Sequence, residues 1–318
     1  MSKPLVLLDI PLLPFMQAQI EPLCETCPWT LLKNRDSQTL NQIQGMYTYA
    51  HPIVGGALLD QLPSLKVISN FGVGVDHIDL KAAAARKIPV GNTPGAVDGA
   101  TSDLTMALML AAARNIVAGD KHARSPQFTH YDPGYLLGLE VFGSTLGIVG
   151  MGRIGQQVAK RAKAFDMRVM YHNRRRNLEA EALLGVEYAT LERLLAESHF
   201  VTLNVPLTPE TTRFIGEAQL RLMRNDALLI NVARGPVVDQ AALVRALEEG
   251  WIAGAALDVT DPEPLPRDHP LLKFENLVIT PHLGSATLRT RRRMGEMAAA
   301  NLAAGLRGES LPNEVRAS

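Results

Sequence analysis

Short apolar runs alternate with amphipathic stretches along most of this chain, and that alternation predicts parallel sheets flanked by helices. In the first ninety residues, positions 5–8, 30–32, 45–49, 67–69 and 89–90 read as strands. Helical patterns at 58–62 and 80–85 lie between them. Residues 101–124 form a long apolar-rich helix that could carry the chain from one domain to another. A second series follows: strands at 147–149, 168–172, 200–205, 227–232, 254–257 and 277–280, with helices at 191–197, 217–223 and 240–249 among them. Finally, residues 289–307 set Met294, Met297, Ala298, Leu302 and Leu306 at helical spacing. Two doubly wound α/β domains account for the series. Residues 1–98 and 288–318 form the first, with residues 99–287 inserted into it as the second, and a ligand is expected in the cleft between them.

The most specific segment opens the second series. Residues 147–172 run from an apolar strand into Gly150-x-Gly152-x-x-Gly155, then a helical stretch, then a second apolar run. A glycine pattern alone also marks ordinary turns, but strand, glycine turn, helix and strand in that order suit a dinucleotide. Gly150 permits the turn, Gly152 lets the backbone approach a pyrophosphate, and Gly155 lets helix and strand pack closely. Enzymes that use NAD place an Asp or Glu about 20 residues on, where it holds the ribose 2′-hydroxyl. Here that position reads Asn173-Arg174-Arg175-Arg176. An acid would repel a 2′-phosphate and guanidinium groups pair with one, so NADP(H) is expected as the preferred cofactor, with NAD(H) possible.

Downstream, charged residues follow the apolar strands: Arg234, Asp258 with Glu263, and His282. Ligands in open α/β sheets bind outside the carboxyl ends of strands. Reduction of a 2-keto acid needs a proton donor for the developing alkoxide, a cation for the substrate's oxygens and a bound nicotinamide. His282 suits the first role, Glu263 is its natural carboxylate partner, and Arg234 can clamp a carboxylate bidentately. Singly, each reads as readily as a surface residue; together they read as catalytic.

The blocks GIVGMGRIG, NVPLTPET, LLINVARGPVVD, AALDVTDPEP and TPHLGSAT follow one another in this order. In them the sequence resembles the D-isomer-specific 2-hydroxyacid dehydrogenases over essentially its whole length. Within that family it is most similar to glyoxylate/hydroxypyruvate reductases, including those that reduce 2-ketogluconate. The resemblance implies a Rossmann domain inserted into a flavodoxin-like substrate domain. It implies Arg234, Glu263 and His282 as the catalytic triad, with Arg234 and His282 also touching substrate. Arg153, Ile154, Pro206, Thr211, Val232 and Ala233 are implied as cofactor contacts, with Asp258 and Thr105 near the nicotinamide. The stretch 70–76 matches a loop whose amides, at Val73 and Gly74, bind the substrate carboxylate. A homodimer with the 101–124 helix near its interface is also implied. The chain departs from the family at Thr260-Asp261, where an aromatic-acidic pair is usual.

Composition narrows the alternatives. Lys and Arg number 32 and so do Asp and Glu, so no overall field draws the protein to nucleic acid or an anionic membrane. No run of apolar residues is long enough for a span, and the start reads as a strand rather than a signal peptide, so a cytoplasmic protein is expected. Cys24 and Cys27 form a C-x-x-C in a polar stretch without a second ligand pair, and read as incidental thiols. No metal is expected. His51, His77, His122, His130, His199 and His269 lack strand-end context and read as ordinary residues. Two rivals keep the glycine turn: a dinucleotide-sensing scaffold of the corepressor kind, which can retain the triad, and a methyltransferase using S-adenosylmethionine, which has no need of it.

Overall fold

The computed structural model describes residues 3–34 and 37–316. They divide into two compact units, the first from residues up to Val97 together with the segment from Thr287, the second spanning Asp98–Ala286.

The first unit holds β1 (Leu5–Leu8), β2 (Glu25–Pro28), β3 (Ile43–Thr48), β4 (Val67–Asn70) and β5 (Val90–Gly91). These are parallel in the order β5-β4-β3-β1-β2, the flavodoxin-like order. On one face Leu7, Ile43, Met46, Ile68 and Val90 join an apolar cluster. The helix Leu288–Leu306 packs on the sheet, where a Cβ on Gly305 would collide with the Val67 side chain and Ser69 donates to the Ala298 carbonyl at 2.7 Å. Asn301, fully buried in that helix, donates to Asn92 O and accepts from Asn313 N. This clamp seats a last short strand (Glu314–Val315) antiparallel to β5.

The second unit adds β6 (Thr145–Val149), β7 (Arg168–His172), β8 (Glu187–Tyr188), β9 (Phe200–Leu203), β10 (Leu228–Asn231), β11 (Gly254–Leu257) and β12 (Leu277–Ile279). All are parallel, in the order β12-β11-β10-β9-β6-β7-β8. That is the Rossmann order with one strand added, and it reverses direction between β6 and β9. Successive residues enter opposite apolar layers: Val149, Met170, Val201 and Leu229 one, Ile148, Tyr171, Phe200 and Ile230 the other. Both faces are therefore covered, which explains why the strands read as continuous apolar runs.

Three expectations are corrected. Residues 30–32 are no strand: helix begins at Leu31, and the strand is Glu25–Pro28. An edge strand with one neighbour buries little, so its sequence is polar and it ends on Pro28. Second, the polar stretch of Cys24 and Cys27 is in part a strand, since Cys27 sits within β2 and Cys24 just precedes it; both are buried free thiols, and burial pushes each up to about 11. Third, the helix expected over 101–124 is two, Asp98–Ala113 and Ile116–Ala123. Asn115 between them is left-handed, with φ of 50°. The Ala113 carbonyl is taken by Leu139 N at 2.7 Å, which ends the first helix. Among the described residues no helix is long and apolar enough to cross a membrane, and no group of His, Cys, Asp and Glu could hold a metal ion.

Candidate active site

Every candidate in the second unit except Thr105 follows the carboxyl end of a strand or opens the helix beyond it. Gly150 leaves β6 with φ of 104°, and a Cβ there would lie 2.8 Å from the Asn204 backbone. Glycine is required on both counts. A Cβ on Gly155 would collide with the Gly150 carbonyl oxygen, whereas one on Gly152 would meet nothing within 4 Å. The turn is closed behind and open in front, at the start of the helix Arg153–Lys163, where unpaired amides and the helix dipole suit a phosphate. Arg153 is exposed there and Ile154 half-buried. Nearby, burial raises the Asp98 carboxyl above its ordinary range, and Arg153 opposes that rise.

After β7 the basic run splits by role. Asn173 turns its carboxamide oxygen onto Met151 N at 2.7 Å and so braces the glycine turn. Arg176 pairs with Glu181 at 2.5 Å and lies over the Tyr188 ring, while Glu181 is held below the usual carboxylate range by hydrogen bonds from Arg176 and Tyr171. Arg174 and Arg175 are exposed and make no ion pair with any described residue. No carboxylate occupies the end of β7 itself. Beyond β9, Thr211 donates to the Pro206 carbonyl at 2.7 Å and accepts from Thr208 N, which folds the 206–211 loop on itself.

At the other side of the sheet, three neighbouring strands lead into the charged candidates Arg234, Glu263 and His282. Asn231 ends β10, accepting from Ala233 N and donating to Arg234 O. Val232 and Ala233 are thereby buried and Arg234 emerges half-buried, its Nη1 donating to Ala233 O. A Cβ on Gly235 would collide with the Thr260 backbone, so the Arg234 segment lies directly against the loop that carries Glu263. Glu263 Oε1 lies 2.7 Å from His282 Nδ1, and both side chains remain partly exposed. His282 has φ of 55°, a left-handed backbone that costs a residue with a Cβ about 1 kcal/mol or more.

Asp258 explains how that conformation is held. It is 2% exposed, and its Oδ1 accepts from the Thr280 hydroxyl at 2.6 Å and Leu283 N at 2.7 Å. Its Oδ2 accepts from Gly284 N at 2.8 Å, and its carbonyl accepts from His282 N. The carboxylate so implied as a cofactor neighbour is fully engaged in shaping the His282 loop. Thr105 is buried in the helix Asp98–Ala113, with its hydroxyl on Thr101 O; Thr101 in turn donates to Gly284 O.

Val73 and Gly74 belong to the first unit, in the loop after β4. Two histidines set aside as lacking strand-end context accompany such loops. His51 follows β3, and its ring lies 5.0 Å from that of His77. Pairing of β3 with β4 carries these loops to the same edge, which no local pattern shows.

The geometry has known counterparts. A family model described as the D-isomer specific 2-hydroxyacid dehydrogenase NAD binding domain matches residues 106–284. A glyoxylate reductase of Korarchaeum cryptofilum is 51% identical over 263 residues, covering 82% of this chain and 79% of that protein. A crystal structure of a Thermus thermophilus protein superposes with a TM-score of 0.89 at 45% identity, covering 98% of this chain and 99% of that one. A third relative is the NADPH-dependent glyoxylate/hydroxypyruvate reductase of Sinorhizobium meliloti, solved with NADP and malonate. It gives a TM-score of 0.89 at 31% identity, over 99% of this chain and 97% of that one.

An Asp258→Asn variant should keep the fold and lose the loop. The new amide supplies one acceptor where the carboxylate supplies two, leaving a buried N–H unmatched at a cost of about 1–3 kcal/mol. For a unit of this size that lowers the melting temperature by about 3–10 °C. Calorimetry should show this together with reduced turnover; an unchanged melting temperature would remove Asp258 from this role.

Proposed function

This chain belongs to the D-isomer-specific 2-hydroxyacid dehydrogenase family and is an NAD(P)-dependent oxidoreductase; from that premise we propose that it reduces small 2-keto acids to D-2-hydroxy acids with NADPH. Glyoxylate and hydroxypyruvate come first as substrates and 2-ketogluconate next. The observation that carries this reading is the His282–Glu263 pair at 2.7 Å, presented at the ends of adjacent strands beside Arg234. Ionised Glu263 accepts from Nδ1–H, so the ring works through Nε2. A nicotinamide cofactor, held by the glycine turn at Gly150–Gly155, would when bound supply the hydride for the keto carbon. His282 Nε2 delivers the proton to the keto oxygen, and Arg234 binds the substrate's carboxylate and polarises its carbonyl. The amides of Val73 and Gly74 are read as a carboxylate-binding loop of the first unit. Removing the general acid costs about 10²–10⁴ in rate. His282→Ala should therefore abolish most NADPH oxidation, followed at 340 nm with a panel of keto acids, while NADPH binding persists. Near wild-type turnover by the variant would overturn the role of His282. No oxidation by the wild type with any keto acid would favour the ligand-sensing scaffold.

Arg174 and Arg175 support NADPH as the preferred cofactor. They form no ion pair among the described residues and stand where an acid would select NAD, and the exposed Arg176 is already committed to Glu181. A charge-assisted hydrogen bond to a 2′-phosphate is worth about 1.5–3 kcal/mol, so losing one raises a dissociation constant about tenfold or more. The Arg174→Ala/Arg175→Ala double variant should lose that much affinity for NADPH and change little toward NADH, by fluorescence titration. Equal losses would refute the preference.

The same reading includes a homodimer. The helix Ile116–Ala123 buries none of its side chains, and Ile116, Val117, Phe128, Tyr135 and Leu137 are exposed on or beside it. A groove of about 770 Å³ beside it, lined by Val117, Tyr135, Leu137 and Phe274 among others, offers a second copy a seat. Light scattering should give a dimer that Val117→Lys with Leu137→Lys converts to monomer; a monomeric wild type would reject the partner. A cytoplasmic location belongs to the same reading.

A further inference from the structure

The loop after β4 is shaped from beneath by carboxamides. Gly72 O accepts from Asn70 Nδ2 at 3.1 Å and from Thr93 N at 3.0 Å. Val73 O accepts from Asn92 Nδ2 at 2.8 Å, and Gly74 O from Asn70 Nδ2 at 2.9 Å. Three successive carbonyls are thus drawn toward the protein. In a trans peptide the carbonyl of one residue and the amide of the next point opposite ways. The N–H groups of Val73, Gly74 and Val75 are therefore turned outward, and none of them donates to a described residue. Consecutive outward amides form a concavity that binds anions.

Asn70 occupies the centre of this arrangement. It is 1% exposed, and each of its two amide hydrogens serves a different carbonyl. Its orientation is settled by Thr48 on the adjacent strand, fully buried, whose hydroxyl donates to Asn70 Oδ1 at 2.8 Å. We propose that Asn70, oriented by Thr48, is a positioning residue for substrate: it fixes the peptide planes that aim the Val73 and Val75 amides at the carboxylate, as Asn92 does for Gly74. This rests on the reading that the loop carrying the Val73 and Gly74 amides receives the substrate carboxylate, and adds the Val75 amide to it.

Asn70→Asp keeps the shape but removes both donors and faces two carbonyls with a carboxylate. Thr48→Val leaves the carboxamide in place and frees it to turn over. Losing a hydrogen bond to a charged ligand costs about tenfold or more in affinity. Asn70→Asp should raise KM for glyoxylate at least that much while kcat changes by less than about threefold and KM for NADPH stays constant. Thr48→Val, the milder change, should shift the same constant in the same direction and serves if the first variant does not fold. Either variant folded, by an unchanged KM for NADPH, yet with wild-type KM for glyoxylate would overturn the proposal. Amide resonances of Val73, Gly74 and Val75 in wild-type protein, titrated with oxalate, separate the two layers. If they do not respond, the loop reading falls and takes the proposal with it. A response beside an unaltered KM in the variants removes Asn70 alone.

Discussion

A single buried carboxylate holds the reactive end of the second unit together. Asp258 leaves β11 almost free of solvent and takes hydrogen bonds from a hydroxyl and two backbone amides of the neighbouring loop. Those bonds compensate its desolvation, and they also bend residues 280–284 so that His282 adopts a left-handed backbone. With the loop released, His282 would relax toward ordinary φ values and its ring would swing away from Glu263. The pair at 2.7 Å is a consequence of packing behind it, and the strain at His282 is tolerated because the surroundings over-determine it.

The same device recurs at other strand ends. Asp9, after β1, accepts from Tyr49 N and Ala50 N, tying down the loop after β3. Asn70 ends β4 and grips the Gly72 and Gly74 carbonyls; Asn173 follows β7 and braces Met151; Asn231 ends β10 and shapes the turn into Arg234. Short Asp and Asn side chains reach only a neighbouring backbone, which is why they suit this work. In the Rossmann unit the braced loops line up along one edge. From β7 to β12 there are five strand spacings of about 4.8 Å, so the row spans about 24 Å. The glycine turn and the arginines occupy one side of the switch point between β6 and β9, and Arg234, Glu263 and His282 the other.

Much of this was legible in the sequence, for reasons that can be named. Strands covered on both faces announce themselves as apolar runs, so β6, β7, β9, β10, β11 and β12 read within a few residues of their observed bounds. Gly150 and Gly155 stood out because strand, glycine turn and helix occur in that order, and Glu263 and His282 because they occur together with Arg234 after such runs. What escaped was set by partners distant in sequence. The polar edge strand Glu25–Pro28 exists because β1 pairs with it. The break at Asn115 depends on a bond from Leu139 to Ala113, and the braces at Asp258 and Asn70 only become visible once their acceptors and donors are known. Equally, nothing in Arg174-Arg175-Arg176 says that the third arginine is claimed by Glu181.

That pattern of bracing bears on how such a protein changes its ligands. The sheet and the Asp and Asn residues at its edge fix where each loop leaves and returns. The tips beyond them are exposed, as Arg174 and Arg175 are beyond Asn173. A tip can exchange residues without disturbing the brace, since its side chains are exposed and its backbone bonds lie below. A brace cannot be exchanged without leaving buried donors or acceptors unmatched. Preference for one dinucleotide or keto acid should therefore drift readily in this architecture, while the geometry of hydride and proton transfer should not. The two lie close along the chain: Asn173 adjoins Arg174, Asn231 lies three residues before Arg234, and Asp258 lies five before Glu263.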